Sequence, residues 1–168
     1  KIDLESLKKP HWNPQELENV KLIKDFVQNL MNDHQFDYVM EKFDNSEYTQ
    51  HNRNIPDGMK GIVDFLKDFV RKYPDYAYDV KQILADGDHV VFHSHATIKK
   101  AHRGDDTKGL NIIDNWKIEN NQIVEHWDAI QALDGSMRVY SLLKGGKIEN
   151  TNGVFWFERK TPETLRMV

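Results

Sequence analysis

The sequence contains no cysteine, which excludes disulfide bonds and thiol chemistry. It also lacks an apolar run long enough to span a membrane as a helix. Lys and Arg number 23 against 27 Asp and Glu, giving a formal net charge of -4, and no basic run or stripe is present. These absences argue against nucleic acid and membrane as partners and favour a small-molecule ligand.

The length of 168 residues is enough for one domain with a substantial core. No internal repeat or low-complexity segment interrupts it. We therefore predict a single domain over residues 1–168, with a core at about residues 14–131 and a C-terminal extension at residues 132–168. The first residue is Lys1 rather than Met, so the compartment stays open. We favour the cytoplasm, with a cleaved signal peptide as the alternative.

The first part of the chain has the apolar spacing of helices. Residues 1–12 are polar and predict a loosely docked arm. Asn13-Pro14-Gln15-Glu16 is a capping box with proline at the first helical position, and predicts a helix to about residue 32. A second short helix, capped by Asp33, is expected to end near Phe43. A third is predicted between Gly58 and Tyr73.

From residue 76 the apolar residues alternate instead, which indicates strands over residues 76–84 and 89–98. Helices followed by an antiparallel sheet predict an α+β domain with the helices on one side. The C-terminal extension is less clear. Val139–Leu143 and Val154–Phe157 could form a hairpin, or a strand followed by a helix near Pro162.

The most informative stretch is a predicted β-hairpin, D-N-W-K-I-E-N-N-Q-I-V-E-H-W-D-A-I-Q, which runs from Asp114 to Gln131. Its Asn120-Asn121 turn tolerates positive φ. A two-residue loop would pair Asp114 with Trp127 and place Asp114 and Asp128 on opposite faces. A three-residue loop that includes Glu119 separates apolar from polar residues better, so we predict that register. One face then carries Ile112, Asp114, Trp116, Ile118, Val124, His126, Asp128 and Ile130.

Three ionisable residues, Asp114, His126 and Asp128, thus share an otherwise apolar face with Trp116. Buried carboxylates are costly unless they are paired or protonated. One such residue could merely satisfy a neighbour at a strand end. Three together favour a functional pocket.

The hairpin resembles the signature of the SnoaL-like polyketide cyclase family, within the nuclear transport factor 2-like superfamily. Y-T-Q-H-N at Tyr48–Asn52 and A-D-G-D-H-V-V-F-H-S-H at Ala85–His95 are also similar to family segments, in the expected order. The resemblance covers roughly residues 15–131 and implies a cone-shaped fold. In that fold the helices close the concave face of a curved antiparallel sheet around a deep apolar pocket.

The resemblance also implies a chemistry. The family's cyclases close a polyketide ring by intramolecular aldol condensation, without metal or organic cofactor. Their acid/base aspartate matches Asp128. The position matching Asp114 is a histidine in the cyclases and an aspartate in many uncharacterised relatives. The long C-terminal extension has no family counterpart that we identify.

We therefore predict an enzyme that uses cofactor-free acid/base chemistry on a small apolar carbonyl compound. Asp128 is the expected base, with Asp114 or His126 orienting it. At least one of His93 and His95 should share the cavity and hydrogen-bond a developing enolate. The predicted substrate-binding residues are His93, His95, Trp116, Gln50, His51 and Tyr48.

Two alternatives stay open at this point. In a metal-dependent enzyme, His93-x-His95 would join His126, Asp114 and Asp128 as ligands, although H-x-H on a strand is a weak signal. A binding domain of the same fold would keep the pocket without turnover. We expect no metal and no cofactor.

The sheet face opposite the helices should be wetted or paired. We predict a homodimer through that convex face, with Val90, Phe92 and Trp127 as its apolar contacts.

Overall fold

The computed structural model describes residues 1–144, 149, 150 and 152. The helices are α1 (Leu4–Leu7), α2 (Pro14–Val27), α3 (Phe36–Phe43), α4 (Met59–Lys72) and α5 (Gly135–Lys144), with a π-helical turn at Gln28–Asn32 and a 3-10 turn at Lys100–His102. The strands are β1 (Thr49–Gln50), β2 (Ala77–Asp86), β3 (His89–Thr97), β4 (Leu110–Glu119) and β5 (Gln122–Ala132). The predicted α+β class is confirmed.

The predicted capping box starts α2. Asn13 Oδ1 accepts a hydrogen bond from Glu16 N, and the Glu16 carboxylate accepts one from Asn13 N, each at 2.9 Å. The π-helical turn then carries the helical path to Asn32, close to the predicted end. Asp33 does not cap α3, because its carboxylate accepts from Gln28 Nε2 at 2.9 Å instead.

The N-terminal arm is docked more firmly than predicted. Ile2 belongs to the buried core, and its backbone N–H donates to Gln28 Oε1 at 2.8 Å. One helical turn, α1, follows it. The polar composition of the arm concealed these contacts, because one isoleucine and one backbone hydrogen bond leave no periodic signal.

The five strands form one curved sheet in the order β1-β5-β4-β3-β2. All neighbouring pairs are antiparallel except β1 and β5, which are parallel. Strand β1 was not predicted as a strand, since two residues are too few for an alternating pattern. It nevertheless places Gln50 beside His126.

Helix α2 packs against strands β2 and β3 and closes the inner face of the sheet. The Trp116 ring lies at the centre of this core, edge-on to Phe26 at 6.3 Å and to Phe92 at 5.5 Å between ring centroids. The inner-face residues of β3 and β4 include Val90, Phe92, Ala96, Ile112, Trp116 and Ile118, all buried.

The predicted outer-face positions of Val90 and Phe92 are wrong. Both side chains are fully buried on the inner face, because β3 directs its apolar residues towards the helices. Trp127 does lie on the outer face, and Leu84 and Ile113 are exposed on that face.

The C-terminal extension begins as a helix, since Val139–Leu143 lies within α5 and not in a strand. The predictions for Val154–Phe157 and Pro162 fall outside the described residues. Within the described part of the chain, no helix is both long and apolar enough to span a membrane.

We expect the outer face to pair two copies of the chain. Leu84 is 49% exposed and Ile113 is 39% exposed there, which leaves apolar surface that a second copy could cover. Leu84→Lys should therefore shift a dimer towards monomer in light scattering. Val139→Lys, at a 56% exposed position on α5, is the matched control. A monomer mass for the unaltered protein at micromolar concentration would contradict the expectation.

Candidate functional site

The turn of the central hairpin differs from the predicted one. Asn120 and Asn121 have φ of 50° and 60° and form a two-residue turn, so the predicted three-residue loop is wrong. Ile118 pairs with Ile123, but Lys117 pairs with Glu125, which leaves Val124 as the extra residue of a bulge.

The bulge restores the predicted arrangement of the ionisable side chains. One extra residue reverses which face every later residue of β5 occupies. Asp114 therefore pairs with Asp128, and Trp116 pairs with His126. The prediction that these four side chains share one face is confirmed, whereas Val124 is the bulge residue and Ile130 is 50% exposed.

A buried hydrogen bond joins the two least exposed ionisable groups of the hairpin. His126 Nε2 lies 2.9 Å from Asp114 Oδ1, and the two residues are 5% and 2% exposed. The Trp116 ring stacks on the His126 ring, with 5.3 Å between centroids. Little water reaches this pair, so its hydrogen bonds decide its protonation.

Gln50 fixes the tautomer of His126. Gln50 Oε1 accepts a hydrogen bond from the backbone N–H of Asn52 at 2.8 Å, which identifies it as the amide oxygen. The same oxygen lies 2.8 Å from His126 Nδ1, so Nδ1 must carry a proton and donate it. The contact between Nε2 and Asp114 then needs one further proton, held by either partner.

Burial raises the pKa of Asp114, and the charge of nearby Asp128 acts in the same direction. The hydrogen bond and charge of His126 oppose this rise in the Asp114 pKa. Burial also raises the pKa of Tyr48 and of Tyr78 well above the usual range, so both hydroxyls stay neutral. The site therefore combines a carboxyl that retains its proton more readily with neutral hydroxyl donors.

Asp128 is the more accessible carboxylate of the site, since it is only partly buried. Asn52 Nδ2 donates to its Oδ2 at 2.6 Å. One ligand atom from each of Asp114, His126 and Asp128 lies within 4.8 Å of the other two. The three groups are close enough to contact one bound molecule.

His93 and His95 do not share this face, and their predicted placement is wrong. His93 Nε2 lies 2.6 Å from Asn111 Oδ1, and His95 Nε2 donates to Lys108 O at 2.6 Å, on the outer side of the sheet. The alternate residues of β3 include Phe92, whose burial excludes the histidines from the inner face.

The Tyr48–Asn52 segment is divided between the two faces. Tyr48 and Gln50 are buried on the inner side, and Gln50 Nε2 approaches the Tyr48 hydroxyl at 3.4 Å. His51 points to the outer side and stacks on Trp127 with 4.6 Å between ring centroids. The prediction that His51 lines the same cavity is therefore wrong.

Two residues of the site were not predicted from the sequence. Asn52, the last residue of the recognised Y-T-Q-H-N segment, bonds Asp128. Tyr78, in the middle of a strand pattern, lies close enough to Asp114 that the charge of this carboxylate raises the pKa of Tyr78. Asn52 could have been suspected from its position two residues after Gln50, but nothing in the sequence distinguishes Tyr78 from a core tyrosine.

Two surface cavities are lined by residues other than Asp114, His126 and Asp128. One is bounded by the N-terminal arm and β2, including Ile2 and Tyr78. The other adjoins the hairpin turn at Asn120. The predicted deep apolar pocket therefore stays a prediction.

A model of the SnoaL-like polyketide cyclase family matches residues 21–136. The chain belongs to that family. The matched region contains Gln50, Asn52, Asp114, His126 and Asp128, so the site lies within the part of the chain that defines the family.

Solved structures share the fold at low sequence identity. A candidate polyketide cyclase from Bacillus cereus ATCC 10987 has a TM-score of 0.61 and 16% identity, covering 83% of this chain and 89% of that one. TsrD from Streptomyces laurentii has a TM-score of 0.57 and 16% identity, covering 80% of this chain and 98% of that one. A SnoaL-like polyketide cyclase from Agrobacterium tumefaciens has a TM-score of 0.53 and 15% identity, covering 72% of this chain and 97% of that one. Identities this low establish a common fold alone. No curated protein sequence matches the chain.

The raised pKa of Asp114 predicts a pH-dependent effect of Asp114→Asn. Between the pKa of the unfolded chain, about 4, and the higher folded value, the folded protein binds more protons. The stability contributed by protonated Asp114 is complete below that window and is lost as pH rises through the folded pKa. The free energy of unfolding of Asp114→Asn should therefore rise relative to wild type as pH increases.

Urea unfolding at a series of pH values between about 4 and 7 measures this difference. Asp79→Asn, at a side chain 60% exposed on β2, is the matched control and should not reproduce the trend. A difference for Asp114→Asn that stays constant or falls with pH would contradict the assigned pKa direction.

Proposed function

We propose that the protein is a cofactor-free acid/base enzyme that removes a proton next to the carbonyl group of a small apolar compound. The reaction would be an aldol-type cyclisation, an isomerisation or a related step. The observation that carries this proposal is the position of Asp128, a partly exposed carboxylate beside the buried pair of Asp114 and His126. Family membership supports the same chemistry.

Asp128 is the base in this mechanism because it is the most accessible of the three ionisable groups. The hydrogen bond from Asn52 orients its carboxylate and leaves one oxygen for the substrate. Proton transfer from the carbon next to the carbonyl would produce an enolate and a protonated Asp128. The same carboxyl can return the proton to another carbon in an isomerisation.

Buried tyrosines would supply hydrogen-bond donors for the developing enolate oxygen. The one proton between His126 Nε2 and Asp114 Oδ1 is already engaged in the hydrogen bond between them. The hydroxyls of Tyr48 and Tyr78 stay protonated because burial raises their pKa values. Donors fixed in a dry site stabilise developing negative charge strongly. They take the role that the sequence had suggested for His93 or His95.

A metal-dependent enzyme is the second candidate, because imidazole and carboxylate atoms from three residues lie within 4.8 Å. A hydrogen bond from His126 Nδ1 to Gln50 also matches the outer contact that metal-binding histidines usually make. A metal would replace the proton between Nε2 and Asp114. A rise in melting temperature on adding a divalent cation, abolished in His126→Ala, would favour this candidate.

Asp128→Asn tests the proposed base. The amide is nearly isosteric and uncharged, so folding and ligand binding should be preserved, whereas the proton acceptor is lost. Deuterium uptake next to the carbonyl of cyclohexanone or α-tetralone in heavy water, followed by mass spectrometry, should fall about 10²–10⁴-fold. Asp79→Asn, on the exposed side of β2, should retain the wild-type rate.

The other functions give different results. Undiminished deuterium uptake by a stable Asp128→Asn protein would end the catalytic role of this residue. Retained ligand with no uptake by the wild type on any ketone would favour a binding domain. Loss of a bound cation in Asp128→Asn, with activity restored by excess cation, would favour the metal-dependent enzyme.

A further inference from the structure

The loop that brings Gln50 and Asn52 to the site is held by residues from the far end of the chain. Asn152 Nδ2 donates to Gln50 O at 2.7 Å and to Asp57 Oδ1 at 2.8 Å. Asp57 Oδ1 also accepts from Gln50 N at 2.8 Å. Both backbone polar groups of Gln50 are therefore fixed, one by Asn152 and one by the carboxylate that Asn152 holds.

Asn150 holds the second site residue of the loop in the same way. Its Nδ2 donates to the carbonyl oxygens of Asn52 and Ile55, each at 2.8 Å. Its Oδ1 accepts from Asn152 N at 3.1 Å, which ties the two asparagines together. Asn150 and Asn152 are 8% and 7% exposed, so water competes little for these hydrogen bonds.

We propose that Asn150 and Asn152, together the asparagine clamp, are positioning residues for the acid/base site. The clamp fixes the backbone of Gln50 and Asn52, and the side chains of these two residues orient His126 and Asp128. The proposal rests on the proposed function. The family match ends at residue 136, so the clamp belongs to the extension of this chain beyond the matched region.

The hydrogen-bond distances explain why the clamp matters. Gln50 Oε1 reaches His126 Nδ1 at 2.8 Å, and Asn52 Nδ2 reaches Asp128 at 2.6 Å. A backbone shift of about 1 Å would break either contact, and a displacement of that size can cost about 10²-fold in rate. Without the clamp, the carbonyl oxygens of Gln50 and Asn52 would lose their buried donors, which favours such a shift.

Asn150→Ala and Asn152→Ala in the full chain test the proposal. Loss of the clamp should speed hydrogen exchange of the Gln50 backbone amide about ten-fold and shift the NMR signal of the Asn52 side-chain amide. The kcat of deuterium uptake from α-tetralone should fall by about ten- to a hundred-fold, with KM changed less.

Asn19→Ala is the matched control. Asn19 is 3% exposed and its Nδ2 donates to the backbone carbonyl of Gly87 at 3.1 Å, far along the chain from the site. The melting temperature of this variant should fall about as much as in the two clamp variants. Hydrogen exchange of the Gln50 amide, the Asn52 NMR signal and kcat should stay unchanged. If Asn150→Ala does not fold, Asn152→Ala carries the comparison alone.

The failure of the clamp and the failure of the proposed function are distinguishable. Unchanged Gln50 and Asn52 signals in folded Asn152→Ala, or equal changes in Asn19→Ala, would overturn the clamp even if wild-type protein is active. Absence of deuterium uptake by the wild type would overturn the proposed function, and the NMR signals would still show whether the clamp fixes the loop.

Discussion

The buried hydrogen bond between Asp114 and His126 is the contact on which the rest of the site depends. An exposed pair of this kind contributes only about 0.2–1 kcal/mol. Removing one partner from a buried pair costs about 3–5 kcal/mol, because the other is left uncompensated. Gln50 limits the choices further, since its amide oxygen requires a proton on His126 Nδ1. The sheet brings Asp114 and His126 together, the loop supplies Gln50, and Trp116 of the core covers the His126 ring.

The hairpin shows what an alternating pattern can and cannot predict. Segregation of apolar and polar residues correctly placed Asp114, His126 and Asp128 on one face, because burial strongly constrains which residues point inward. The loop length was wrong, since the chain uses a tight turn and then a bulge at Val124. A three-residue loop, and a two-residue turn followed by a bulge, place the ionisable residues on the same face of the sheet. The alternating pattern therefore predicts which face a residue occupies, but not the turn geometry that puts it there.

The errors elsewhere have physical reasons of two kinds. His93 and His95 were expected inside because histidines suggest chemistry, although the alternate residues of the same strand, such as Phe92, were the more apolar set. The hydropathy of the alternate residues would have placed Phe92, and not the histidines, on the inner face of β3. The contacts of Asn52 and Asn152 were beyond prediction, because single polar residues that bond across 76 or 102 positions leave no periodic signal.

Nitrogen NMR of the His126 side chain tests the central claim most directly. The hydrogen-bond pattern predicts a proton on Nδ1 at neutral pH that exchanges slowly with water, because it is buried and donated to Gln50. The ring of exposed His11 supplies the reference for fast exchange. An unprotonated Nδ1, or a ring proton of His126 that exchanges as fast as that of His11, would contradict the arrangement of protons assigned to the buried site.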